Sequence, residues 1–300
     1  MDEWHVGDPP DWGDSVGVPD IPYMGYINNG EDDEDDVPEE IVVPTSRDEQ
    51  LASEAFELQK EGRYEEALTL INRALEINPN SPRHYNIKAI ILDNSGRHEE
   101  ALEFYDKSLY LYNDDIVKGN KAQCLYRIGK RKKSLSDYEG ALEYVNRALA
   151  TLPDDDGRNE YLRFKGDVLD SLGRQVQSKK CYLLASGMYD EIRDLEEKEK
   201  RIKNSKDTLI NIAGTKYYKS KSQLRPGVIL DLIKEPKNEH DSNAIRIEFD
   251  GKTVGYVGNG SMTVPEGVKS ATEIQDEFSD KRKAEVLFYF IDYYIIAKLI

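Results

Sequence analysis

The sequence predicts an α + β multidomain chain: an α-helical repeat solenoid, then a small barrel-like α+β domain, behind a disordered acidic N-terminal tail. Three observations predict it. Residues between 48 and 187 recur with a spacing of 34. After residue 207 the helical period gives way to strand-like alternation. Charge is uneven: residues 1–47 hold 14 acids and one base, a net of −13 within a chain total of −17. The rest is nearly neutral, so the low isoelectric point says little about what the folded parts bind.

The tail, 1–47, carries prolines, glycines and the run EDDEDD, with apolar residues only in ones and twos. Such a segment buries too little surface to offset its ordering entropy. Its clustered carboxylates hold divalent ions only loosely, because nothing fixes them in a cage.

The repeats occupy 48–187. Gly62 and Gly96 stand 34 residues apart, as do Ala67 and Ala101, and Leu75 and Leu109. A third copy contains Ala122, Leu125 and Gly129, and a fourth contains Gly166, Leu169 and Gly173. In all four a small residue (Ala55, Ala89, Ala122, Gly166) precedes the turn glycine by seven. Each unit reads as two antiparallel helices. The small residue permits close approach, the glycine ends the first helix, and Pro79 stops the second helix of the first copy. One pair cannot bury its apolar face, so copies must stack. At these positions, and at Tyr64, Ala74, Tyr138, Ala141, Ala148 and Pro153, the chain resembles the tetratricopeptide repeat family. The resemblance implies a groove that holds a protein partner. The third copy departs by an insertion, KRKKSLS, between Gly129 and Asp137. The fourth has Gln175 and Ser178 where Tyr and Ala are usual, which predicts a weaker, capping second helix. Ala52, Phe56, Asn86 and Ile90 are expected to face the groove, and they lack the Lys/Asn pattern that suits an acidic C-terminal peptide.

Residues 188–206 are highly charged, with sparse apolar positions at Ile192, Leu195 and Ile202. They predict a solvated helical linker.

In 207–300, TLINIAGTKYY, GVILDLIKE, AIRIEFD and KTVGYVG read as strands, with a hairpin turn at Asp250–Gly251. GVKSATEIQDEF reads as a helix, and EVLFYFID and YYIIAKLI as two further strands. The pieces GTKYY, PGVILDLIKEPKNEHDSNAI, GKTVGYV and the final strands, in that order, resemble the HIRAN domain family over roughly 208–300. The string EPKNEHDSNAI is the most specific piece. The resemblance implies an OB-like barrel that binds DNA, with the 3′ end of a single strand as the expected ligand. It also assigns a DNA site: the paired Tyr217 and Tyr218, Asp241 for a terminal hydroxyl, His240 as a stacking ring, flanking Lys216 and Lys237, Asn238 toward sugar or phosphate, and Tyr256 after the hairpin.

The residues themselves are compatible with single-strand binding, which needs flat side chains and cations along a track. Lys216, Lys219, Lys221 and Arg225 lie within ten residues of the tyrosines. A second reading stands beside it. PKNEHDSN can also be read as only a turn between two strands, in which Asp241 and Asn243 bond their own backbone. If the tyrosines are on a strand, one of the pair faces the core.

No P-loop, CxxC, HExxH or GxSxG occurs, and the four histidines lack ligand spacing. No catalytic residue, cofactor or metal is therefore expected. The cysteines, Cys124 and Cys181, fall in helical patterns and read as reduced, buried thiols, and a cytoplasmic protein is the expectation. No apolar run approaches the roughly 18 residues of a membrane span, and no secretory signal is expected. The expected function is a non-catalytic adaptor that holds a protein in the repeat groove and single-stranded DNA or a 3′ end in the C-terminal domain. The alternative is a protein-binding scaffold that never touches nucleic acid.

Overall fold

The computed structural model describes residues 46–152, 157–260, 263–291 and 294–300. The acidic tail predicted for 1–47 falls almost wholly outside them, as does Pro153.

Four helical hairpins follow one another: α1 (Arg47–Lys60) with α2 (Tyr64–Ile77), α3 (Pro82–Asn94) with α4 (His98–Leu111), α5 (Asp115–Ser134) with α6 (Tyr138–Thr151), and α7 (Arg158–Ser171) with α8 (Gln175–Ala185). Gly62, Gly96 and Gly173 turn three of them with φ of +78°, +84° and +73°. After each glycine the next amide bonds back into the helix, as in Arg63 N–H to Leu58 O and Arg97 N–H to Leu92 O, which closes the helix end. Ala55, Ala89 and Ala122 are fully buried between helices. At Gly166 the approach is closer still: an added Cβ would lie 2.8 Å from the Tyr182 ring.

The third hairpin corrects the sequence reading. Gly129 does not end its helix. The inserted Lys and Arg are good helix formers, so α5 runs on to Ser134. The turn moves to Ser136, at φ +60°, and Asp137 caps α6 by accepting the Gly140 N–H at 3.0 Å. Gly129 gives close packing instead, with Phe164 and Tyr144 within contact of a Cβ built there. Ala52 is also fully buried, not groove-facing.

First helices of neighbouring hairpins are laced by polar contacts one repeat apart. Glu49 pairs with Arg83, Asn86 accepts from Asn120, Asp93 pairs with Arg127, and Glu160 accepts from Tyr126.

The predicted linker is α9 (Tyr189–Lys203), and it is not simply solvated. Leu195 and Ile202 are buried in a cluster with Leu183 of α8 and with Leu209, Phe288, Phe290 and Ile296 of the next domain. The Arg201 guanidinium lies 4.4 Å from the Phe288 ring centre. The three apolar residues fall on one helix face, enough for one seam.

Six antiparallel strands follow: β1 (Leu209–Ala213), β2 (Ile229–Lys234), β3 (Ile245–Phe249), β4 (Lys252–Val257), β5 (Lys281–Ile291) and β6 (Tyr294–Leu299). They close a barrel in the order β1-β4-β3-β2-β5-β6. Its core holds Ile210, Ile212, Leu230, Leu232, Ile245, Ile247 and Val254, among others. Asp250 and Gly251, both at positive φ, make the predicted β3–β4 hairpin in the handedness that matches strand twist. β1 crosses β4 at Gly255, where a Cβ would lie 2.5 Å from the Ala213 carbonyl oxygen.

Two expectations fail here. The strand through GTKYY stops at Ala213, because Gly214 turns the chain at φ +77°. GVKSATEIQDEF is not a helix. The amides of Lys269 and Ala271 bond to Leu209 O and Gly258 O, which ties the segment to the barrel at 269–271 and leaves a turn at 271–274 that runs into a 3₁₀ turn at Gln275–Glu277.

Candidate nucleic-acid site

The connection from β2 to β3, residues 235–244, organises itself around Asn238. Its side-chain oxygen accepts the N–H groups of His240 and Asp241 at 3.0 and 3.2 Å. Its Nδ2 donates to Glu235 Oε2 at 3.0 Å. Asn238 therefore shapes the loop. Asp241, half-buried, accepts from the Asn243 N–H at 2.8 Å through Oδ1 and from Asn259 Nδ2 at 2.8 Å through Oδ2. The turn predicted as the second reading is thus formed. A carboxylate has about four acceptor positions, so Asp241 retains capacity for another donor.

Asn259 follows β4 and is itself held. Its Oδ1 accepts from the Thr272 amide and hydroxyl at 3.0 and 2.9 Å. Asn243 Nδ2 also donates to that hydroxyl, at 3.2 Å. Three segments distant in sequence thereby fix one carboxylate.

On the other side of Asn238, Glu235 Oε2 accepts from the Tyr256 hydroxyl at 3.2 Å. Its Oε1 pairs with Arg246 Nε at 2.7 Å. Burial and then the Glu235 charge push the Tyr256 phenol up to about 12. The Tyr218 ring centre lies 6.3 Å from that of Tyr256, and Tyr217 packs edge-on to Tyr218 at 4.9 Å. Neither Tyr217 nor Tyr218 is in a strand or in the core: Tyr218 is half-buried, and Tyr217 is 83% exposed.

The structure thus joins Tyr217, Tyr218, Tyr256, Asn238 and Asp241 in one contiguous arrangement through Glu235. Lys237 and His240 are exposed on the loop, lining an open depression of about 520 Å³ with Glu235, Pro236, Asn238 and Glu239. Lys216 is exposed beside the tyrosines in sequence. Lys221 turns elsewhere, toward the Tyr289 ring. Sequence reasoning missed the structural parts of Arg246, Asn259 and Thr272. Arg246 had the one readable signal, a cation two residues into the strand after a carboxylate-bearing loop.

Family comparisons agree with this architecture. The HIRAN domain matches residues 206–260, and tetratricopeptide repeats match 53–81 and 81–154. The chain carries tetratricopeptide repeats and a HIRAN domain. A TPR repeat-containing protein of Methanocaldococcus jannaschii is 34% identical over 83 residues, 28% of this chain and 13% of that protein. The chain thus spans about an eighth of that relative's length. Among solved structures, MamA is 14% identical with a TM-score of 0.36, covering 49% of this chain and 81% of its own. BtubC from P. vanneervenii is 18% identical with a TM-score of 0.36, covering 51% of this chain and 68% of its own. The repeats suggest protein–protein interaction and the HIRAN domain suggests nucleic-acid binding. Both are for the most part binding modules. Among the described residues no helix is long and apolar enough to cross a membrane.

Proposed function

We propose that the chain is a non-catalytic adaptor whose repeats hold a protein partner while its HIRAN domain binds single-stranded DNA at a 3′ end. The observation that carries the reading is Asp241: a carboxylate fixed by Asn243 and Asn259, with acceptor capacity left over, beside exposed rings. A terminal hydroxyl donates to such a group, whereas an internal phosphate is repelled by it. Tyr217 and His240 offer faces for base stacking. Tyr218 and Tyr256 back Tyr217, Lys216 and Lys237 meet phosphates, and Asn238 keeps one amide hydrogen for sugar or phosphate.

Fluorescence anisotropy with short labelled strands tests this. A free 3′ hydroxyl should be preferred at least tenfold over a 3′ phosphate, and Asp241→Ala should abolish the preference while the protein still melts cooperatively. Equal affinity for both ends in the wild type would remove the 3′-end reading. The scaffold alternative draws support from the loop's own use of Asn238 and Asp241. It expects partner recovery in pull-downs to be the same with and without nuclease, and no strand binding at low salt.

A further inference from the structure

Two clusters in the repeats bring a histidine against acids, and they differ in how well they are satisfied. In one, Asp93 accepts from His98 Nδ1 at 2.6 Å and pairs with Arg127 through its other oxygen. Cys124 completes it by donating to the His98 carbonyl oxygen at 3.4 Å. Burial raises the Cys124 pKa, so the thiol keeps its proton. That cluster is a closed hydrogen-bonded network and calls for nothing more.

The other cluster is open. His84, near the start of α3, is fully buried, and among the described residues neither ring nitrogen makes a hydrogen bond of good geometry, the Asn78 backbone standing near the ring without closing one. An unpaired polar group in such a place costs about 1–3 kcal/mol, so a partner for the ring is worth seeking. Facing Nε2 are Glu49 Oε1 at 3.4 Å and Asp48 Oδ2 at 3.8 Å, both from the first turn of α1. The three ligand atoms lie within 4.8 Å of one another. Those separations are long for hydrogen bonds but suit the edges of a coordination polyhedron. Ligands about 2.1 Å from a tetrahedral zinc stand about 3.4 Å apart.

We propose that Asp48, Glu49 and His84 form a site for a divalent transition-metal ion of the zinc type, with a fourth position left to water. Imidazole nitrogen and carboxylate oxygen are both donors that such an ion accepts. Glu49 is oriented by its outer oxygen, Oε2, which pairs with Arg83, while Asp48 Oδ2, the oxygen nearer the ring, also accepts from Asn78 Nδ2 at 3.1 Å. Outer contacts of this kind hold ligands in place. The ion would pin α1, the first of the described helices, to α3 of the following hairpin, across the seam where one repeat stacks on the next. No ligand spacing announces the site in the sequence, because its two halves meet only when the first two hairpins stack.

The test uses the full chain, stripped with a chelator and titrated with zinc chloride by calorimetry. The expected result is one tight equivalent, weakened at least tenfold in Glu49→Gln and in Asp48→Asn and unchanged in Cys124→Ala. His84→Gln should abolish it; where that buried variant does not fold, the two carboxylate variants carry the test. Cobalt titration gives an independent reading: the expected spectrum has no thiolate charge-transfer band. The proposal is overturned if zinc does not bind, if both carboxylate variants bind as the wild type does, or if cobalt gives a thiolate band that places the ion at Cys124.

Discussion

The helical stack and the barrel are held together by opposite rules. In the stack, polar cross-contacts join residues one repeat apart: Glu49–Arg83, Asn86–Asn120 and Asp93–Arg127 are each 34 residues distant. In the barrel, buried Asn211 donates to Thr263 O, 52 residues away, and accepts from the Ile295 N–H, 84 residues away. A stack built from neighbours tolerates local change, whereas a barrel must close all its pairings to exist. The difference also governs where chemistry sits. In the stack, departures from the repeat mark the unusual places. In the barrel, a site is gathered from segments that have no relation in sequence.

The largest expected effect comes from one substitution made in both regions. Gly255→Ala drives a methyl group to 2.5 Å from the Ala213 carbonyl oxygen, and backbone cannot move aside cheaply. A loss of about 3 kcal/mol is expected from overpacking, read by urea denaturation of the full chain. At Gly166→Ala the nearest atoms belong to the Tyr182 ring, a side chain that can shift by loosening its hydroxyl's bonds to Asp167 and Asp170. Alanine also gains roughly 1 kcal/mol over glycine in a helix. Its net effect should stay within about 1 kcal/mol. Equal losses at the two positions would break the comparison.

A smaller effect is expected at the seam. Leu195→Ala removes a buried side chain between α9 and the barrel and should cost about 2–3 kcal/mol. The two cysteines make the outcome readable, because Cys124 and Cys181 both lie in the stack and the chain has no others. Burial raises both thiol pKa values, so alkylation should report opening of the stack alone. In the wild type, alkylation should track loss of barrel structure through the α9 seam. In Leu195→Ala it should occur at lower denaturant than barrel unfolding.

The smallest effect is a pH dependence in the barrel. The Tyr256 phenol is raised from 10.0 to about 12 in the folded chain, by burial first and the Glu235 charge second. On raising pH, the unfolded phenol ionises first. Its contribution is therefore fully present below pH 10 and lost as pH climbs toward 12. Denaturation midpoints should fall across that window slightly more in the wild type than in Tyr256→Phe.

The stack was legible because its signals are local. Gly62, Gly96 and Gly173 each act within one turn, and the small residues at seven before them face the nearest helix. Gly129 misled because helix formers follow it, so propensity outweighed one glycine. In the barrel the strands read well, but GTKYY and GVKSATEIQDEF did not. One is ended by a positive-φ glycine, and the other is held by amide bonds to β1 and to the residue after β4, which no local pattern records. Within the candidate site, Asp241, Asn238 and Tyr256 stood in a readable motif. Asn259 and Thr272 did not, since they reach Asp241 only after β1, β4 and the 269–272 segment have been brought together.

Closure of the strands has one more consequence. β1 pairs with β4 on one side and β6 on the other, so the ring ends where it began. Among the described residues this leaves a peptide little unpaired backbone along which to add itself as a further strand, chiefly the start of β4, which β1 does not reach. Recognition by this domain is then expected mainly through side chains and loops at its rim. On the proposed reading recognition is chosen residue by residue, and a single replacement in the 235–244 loop should retune it without unseating a strand.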